Sequence, residues 1–150
     1  MLRKAMFVLL LLPTLALSGS EGEKLVKDFW KWTVEKRIHK IASTISPSFQ
    51  GMYMSSLCAQ TGDFFTKAQE LQFLRNLNIT SFVLSNIKTT KNHHALVVTY
   101  NAQLFSPAQA PVGMDLPNPY ANYHEIFTYF KHEGKWKLIS VSFFPYGVPV

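Results

Sequence analysis

The sequence predicts an α+β domain, with N-terminal helices packed on one face of a curved antiparallel sheet. Three observations carry that expectation. Apolar residues recur at helical spacing from Val26 to Ile45, the period drops to two between Phe82 and Leu104, and Tyr123 to Phe144 reads as a hairpin. In the hairpin, two runs rich in β-branched and aromatic residues flank Glu133-Gly134, a two-residue loop with Gly where positive φ is easily taken. Trp136, Leu138, Ile139, Val141, Phe143 and Phe144 leave both of its faces partly apolar, so other elements must cover it.

The chain has 150 residues. Arg3 and Lys4 precede a mostly apolar run, Ala5–Leu17, with Ala16 and Ser18 placed as the small residues before a cut. That is the pattern of a secretory signal peptide over residues 1–18, with residues 19–150 forming a single extracellular domain. The alternative is an uncleaved anchor, against which Pro13 interrupts the run. Cleavage removes two of the 15 basic residues and leaves 13 against 9 acidic, a net charge of +4. This charge is spread out, without the dense basic patch that a nucleic-acid partner needs. Cys58 is the single cysteine, so no intrachain disulfide forms. It reads as a small buried hydrophobe, with interchain pairing or nucleophilic chemistry as the alternatives.

In chain order, Ser20 and Glu23 fit a capping box that opens a helix over about Glu21 to Lys40. Its buried stripe is Val26, Trp30, Val34, Ile38, Ile41 and Ile45, widened by Phe29; Lys27, Lys31, Lys36 and Lys40 form its solvated face. Pro47 stops that helix, and Phe49–Met54 is a short extended or irregular piece. Thr61-Gly62-Asp63 makes a turn. Thr66 with Gln69 is a second capping box, opening a helix to about Leu77 that buries Ala68, Leu71, Leu74 and Leu77.

Phe82, Leu84 and Asn86 then alternate with Val83, Ser85 and Ile87 in one strand, and Thr89 to His93 reverses the chain. A second strand buries Leu96, Val98, Tyr100, Ala102 and Leu104. Ser106 to Asn122, with four prolines, is either a lid over a pocket or a loose excursion.

Here the chain resembles the nuclear-transport-factor-2-like superfamily, the cone-shaped fold of ketosteroid isomerase, scytalone dehydratase and the polyketide cyclases. The parts that carry the resemblance are the amphipathic opening helix, FLRNLNITSFVLSNI, HALVVTYNAQLF, and HEIFTYFKHEGKWKLISVSF with its Gly-Lys-Trp. The resemblance implies a cone with an apolar interior, used in related proteins as a ligand pocket, as an enzyme site, or as the core beneath a dimerising sheet face. The Gln-x-Val-x-Gly loop of cystatins is absent.

Isomerase-type members of this fold place a carboxylate base and a tyrosine–acid pair inside the cone, at pKa values tuned by burial. In this sequence the strands offer one acid, Glu125, where such a pair needs two. Helix and strand phase nominate Trp30, Val34, Tyr53, Tyr100 and His124 as pocket residues, with Tyr123 available to a dehydratase-like scheme. His93-His94 on a strand would point to opposite faces and could grip one ion only from within the turn; neither HExxH nor a Cys/His cluster occurs, so no metal is expected. No motif calls for a cofactor. Asn78-Ile79-Thr80 is an N-glycosylation sequon between a helix and a strand.

The expected function is a secreted, non-enzymatic binding or interaction domain holding a small apolar ligand in the cone. The alternative is an acid–base lyase or isomerase acting on a small apolar substrate there. Paired ionisable groups facing one cavity favour the enzyme; an interior of Phe, Leu, Trp and Met alone favours binding or packing. A homodimer through the outer sheet face is the third expectation.

Overall fold

The order of elements follows from where the chain can cap, turn and bury. The computed structural model describes residues 14–53, 63–106 and 121–145. Three helices, α1 (Thr14–Val34), α2 (Ile38–Thr44) and α3 (Lys67–Asn76), pack on one six-stranded sheet. Its strands are β1 (Ile45–Tyr53), β2 (Asp63–Thr66), β3 (Ser81–Lys91), β4 (Ala95–Phe105), β5 (Ala121–His132) and β6 (Lys135–Pro145), in the order β2-β1-β6-β5-β4-β3. The cut proposed after Ser18 falls inside α1, and most of the segment before it, with Cys58 and most of the proline-rich 106–122 stretch, lies outside the described residues. Among the described residues no helix is long and apolar enough to cross a membrane.

The hairpin forms as expected. Glu133 and Gly134 both take positive φ, 49° and 75°, the geometry of a type I′ turn, and β5 and β6 pair on either side of it. The β3–β4 hairpin turns later than its sequence suggests: β3 runs on to Lys91, and the Asn92 side chain accepts from the His94 and Ala95 amides to close the turn. His93 and His94 therefore sit exposed in the turn.

Two extra strands extend the sheet beyond the two hairpins. β1 takes in the whole Ser46–Tyr53 stretch and pairs in parallel with β6, so the sheet is antiparallel everywhere but at that one seam. Asp63 belongs to β2, not to a turn. Gly51 permits the β1–β2 pairing, because a Cβ there would lie 2.0 Å from the ring of Phe65, its cross-strand partner.

The helices depart from their predicted limits. α1 is continuous through Ser20, so the helix begins upstream of the predicted capping box. The predicted run to Lys40 breaks after Val34. Arg37 N–H donates to Trp32 O and Lys36 N–H to Thr33 O, a Schellman closure with Lys36 in the left-handed region at φ 56° where Gly is usual. Lys36 is not simply a solvated residue: its ammonium donates to the carbonyls of Leu74, Arg75 and Leu77, capping the C-terminus of α3. Lys67 and Lys137 do the same for α2, reaching Ile45 O and Ser43 O. Ile45, placed by its spacing on the helix stripe, starts β1 and is buried. The second capping box is present in full, with Thr66 and Gln69 bonding each other's backbone.

The core lies between the helices and the inner face of the sheet. Val26, Phe29 and Trp30 of α1, Ile41 of α2 and Leu74 of α3 meet Leu96, Val98, Tyr100, Phe127, Leu138 and Val141 there. α1 comes close at Gly22, where a Cβ would fall 2.5 Å from Thr89 and 2.9 Å from Val98.

Two register shifts keep that inner face apolar. Asn86 at φ 53° is a bulge, so Ile87 replaces it on the inner face after Phe82 and Leu84; this corrects the uniform alternation read from the sequence. A second shift beside Ile139 lets both Leu138 and Val141 point inward.

Replacing Lys36 by Met should destabilise the chain by about 1–2 kcal/mol through loss of the charge-assisted bonds to α3. Lys36→Gly, which also relieves the left-handed backbone by about 1 kcal/mol, should cost less. Urea denaturation of both variants decides this; a Lys36→Met protein as stable as the parent would remove the cap from the account.

Candidate functional site

Strand pairing places Tyr100 of β4 opposite Glu125 of β5 on the inner face. Both are buried, at 0% and 3% exposure. The Trp30 indole, from the second buried turn of α1, donates to the Tyr100 hydroxyl at 2.9 Å. That hydroxyl in turn hydrogen-bonds Glu125. One Glu125 oxygen, Oε2, is buried without a hydrogen-bond partner.

The second acid comes from a helix. Glu70, in the first turn of α3, is buried at 5% exposure. The sequence reading put Ala68 on the buried face of α3, but Ala68 is exposed, and Glu70 takes the inward position with Leu74 and Leu77. The signal was available: Glu70 stands four residues before Leu74 and seven before Leu77, on one helical stripe.

Glu70 and Glu125 face a common chamber walled by Phe29, Phe73, Phe127 and Phe143. It leaves only about 10 Å³ free, room for roughly one water molecule. In front of it lies a wider, mostly apolar cavity of about 350 Å³, lined by Tyr53, Phe65, Gln69, Glu70 and Phe73. Glu70, Phe73, Tyr123 and Phe143 border both spaces.

Burial dominates the electrostatics. It raises Glu125 to about 7, against the opposing hydrogen bonds of Tyr100 and Trp30. It raises Glu70 to about 8, helped by the charge of Glu125. The helix N-terminus favours an ionised Glu70, but desolvation outweighs it. Burial first, then Glu125, holds the Tyr100 hydroxyl far above its ordinary range, and Tyr129 is pushed up by the same causes. Both carboxyls therefore titrate near neutrality, where either can hold or release a proton.

Of the residues nominated from sequence, Trp30 borders the inner chamber, Tyr53 the outer cavity, and Tyr100 holds Glu125. Val34 packs against the core at the end of α1 and lines neither space. His124 is on the other side of the sheet, where its Nδ1 is 2.7 Å from Asn101 Oδ1 and its ring lies against Phe144. Strand parity decides this: Tyr123 and Glu125 face in, so His124 faces out. The expectation of a single acid is corrected by Glu70. Among the described residues no group of three His, Cys, Asp or Glu is arranged to hold a metal.

The outer sheet face carries its own groove of about 360 Å³, with Phe64, Phe130, Met52 and Ile139 on its walls. Phe64 and Phe130 are exposed.

Solved structures place this architecture. A nuclear-transport-factor-2-like protein with a cystatin-like fold from Novosphingobium aromaticivorans matches with a TM-score of 0.67 at 7% identity, over 91% of this chain and 86% of its own. The fold is the nuclear-transport-factor-2-like cone. A Nostoc punctiforme protein of unknown function with a cystatin-like fold matches at 0.65 and 13% identity, over 89% of this chain and 94% of its own. A putative calcium/calmodulin-dependent kinase II association domain from Exiguobacterium sibiricum does so at 0.65 and 10%, over 92% and 98%. No protein-family model matches the sequence, and no curated protein matches it. At these identities the nuclear-transport-factor-2-like likeness fixes the fold and leaves the function to the site.

The acid pair predicts how stability depends on pH. Both carboxyls titrate near 4.5 when unfolded but near 7 and 8 when folded, so across that interval the native chain holds more protons than the unfolded one. Stability should therefore fall as pH rises from about 5 to 8, by at most about 1.4 kcal/mol per pH unit for each carboxyl. Glu21 is held below its ordinary value, first by its bond to Lys91, and acts only below that interval. Glu70→Gln should flatten the upper half of the slope and raise the melting temperature at pH 8. Thermal denaturation at pH 5, 6.5 and 8 tests this; a flat or rising profile in the parent would contradict the buried pair.

Proposed function

We propose that this chain is a secreted, non-enzymatic binding domain that holds a small, mostly apolar ligand in the cone. The ligand fills the outer cavity and sets its polar end against Glu70 and Glu125. One observation carries this reading: an aromatic cavity of about 350 Å³ whose inner wall is a buried carboxyl. That size falls at the lower end of small-molecule sites, and an apolar pocket with a few convergent polar groups is their usual form.

The alternative is an acid–base lyase or isomerase in the same pocket. It is favoured by the pairing of two ionisable groups on one chamber, with Glu125 near 7 beside the Tyr100 hydroxyl. Against it, the space beside Glu125 admits a group the size of water, whereas proton transfer to and from carbon needs the substrate's carbon skeleton there.

Residues 1–18 act as the signal peptide in this reading. Asn78 carries the glycan; it is exposed between α3 and β3, and its sequon partner Thr80 is held by Phe105 O. Self-association belongs to the outer groove, where Phe64 and Phe130 stand exposed.

Native mass spectrometry of the protein secreted from eukaryotic cells tests these statements together. The expected species lacks residues 1–18, carries one glycan that Asn78→Gln removes, and retains a small molecule that Glu70→Leu releases. Protein that binds no compound from a library of small apolar molecules, even at millimolar concentration, would overturn the ligand reading.

A further inference from the structure

The chamber combines features that narrow the ligand's chemistry. Glu125 Oε2 is buried and lacks a donor. The free space beside it is about 10 Å³, so the group that reaches it is the size of one water. Glu70 supplies a second carboxyl on the same space. No Lys, Arg or His lines either the chamber or the outer cavity among the described residues.

The chain as a whole carries 15 basic residues against 9 acidic. Among the described residues, two of those nine acids are buried on one chamber without a counter-ion. Carboxyls buried without a counter-ion are costly, and such acids lining a cleft are candidates for a site.

Resting on the small-molecule reading above, we propose that the ligand is a small apolar amine, bound as its ammonium ion with the nitrogen in the chamber at Glu70 and Glu125. An ammonium group is water-sized, donates three hydrogen bonds and supplies the missing positive charge. The aromatic walls add to this. Phe29, Phe73, Phe127 and Phe143 line the chamber, and a desolvated cation is attracted by aromatic rings. The apolar remainder of the amine lies in the outer cavity among Tyr53, Phe65 and Tyr123. A hydroxyl would fit the space but would bring no positive charge to the carboxyls. A carboxylate ligand would add a further acid to the chamber.

Binding must move a proton. At neutral pH the pair holds protons that an incoming ammonium displaces, so complex formation releases a proton to solvent. The titratable groups around the nitrogen are Glu70 from α3, Tyr100 from β4, and Glu125, Tyr123 and Tyr129 from β5. Phe29 and Trp30 of α1, Phe73 and Leu74 of α3, Leu104 of β4, Phe127 of β5, and Val141 and Phe143 of β6 also line it and do not titrate. Tyr100 and Tyr129 are held neutral by burial, so the carboxyls carry the pH dependence.

Calorimetric titration of the full chain with 2-phenylethylamine, 2-phenylethanol and 3-phenylpropionate tests the proposal. The amine should bind at least about tenfold more tightly than the alcohol at pH 7.5, and the carboxylate more weakly than either. Amine affinity should rise between pH 6 and 8.5 while that of the alcohol stays level, and buffers of different ionisation enthalpy should reveal proton release for the amine alone. Glu125→Gln, which keeps the shape of the neutral acid, should bring the amine down to the level of the alcohol. Equal binding of amine and alcohol, or amine binding that Glu125→Gln leaves intact, overturns the ammonium proposal and leaves the pocket reading standing. Failure of all three compounds to bind at millimolar concentration overturns both.

Discussion

The seam between α1 and the centre of the sheet is the constraint on which the rest depends. Trp30 donates to Tyr100, Phe29 stacks edge-on against Phe127 at 5.0 Å, and Gly22 lets the helix backbone approach Thr89 and Val98. A helix held that close takes the middle of β4 and β5 out of bulk solvent. Tyr100 and Glu125 are buried there, and burial is what moves the carboxyl toward neutrality. The packing of one helix therefore sets the chemistry of a residue on a strand nearly a hundred positions away.

The other side of the cone is closed by short-range devices acting at long range. Lys36 sits at a strained helix end, and its ammonium fastens that end to the last turn of α3. Fixing α3 fixes Glu70, because the capping box at Thr66 sets the phase of the helix from its first turn. At the far end of the sheet, Glu21 joins Lys91 and the Trp136 indole, and Lys91 and Lys131 stand 5.6 and 5.3 Å from the Trp136 ring. These contacts hold α1 across the sheet, and with it the lateral wall of the chamber.

Much of this fold could be read from the residues. The Glu133-Gly134 turn, the Thr66–Gln69 box and the alternation of Leu96 to Leu104 are local signals, and each appears where expected. The misreadings share a different origin. Asn86 and Ile139 shift register without a Gly or Pro to announce it, so uniform alternation mistook Asn86 for an inward residue. Lys36 breaks a helix whose apolar spacing continues to Ile45, and only its bonds to α3 explain why it does so. Glu70 escaped because an acid on a helix is ordinarily solvated, and a stripe drawn through apolar residues passes over it.

The sequence by itself determined the class of the fold, the two hairpins, the second capped helix and an inward-facing Tyr100, because each depends on residues close in the chain. Only the tertiary structure decided that β1 joins β6 in parallel, that His124 faces out, and that Glu70 meets Glu125 across the cone. Those outcomes depend on which surfaces exclude water from which groups. Exclusion of water belongs to the assembled molecule, and it turned two ordinary glutamates into an acid pair.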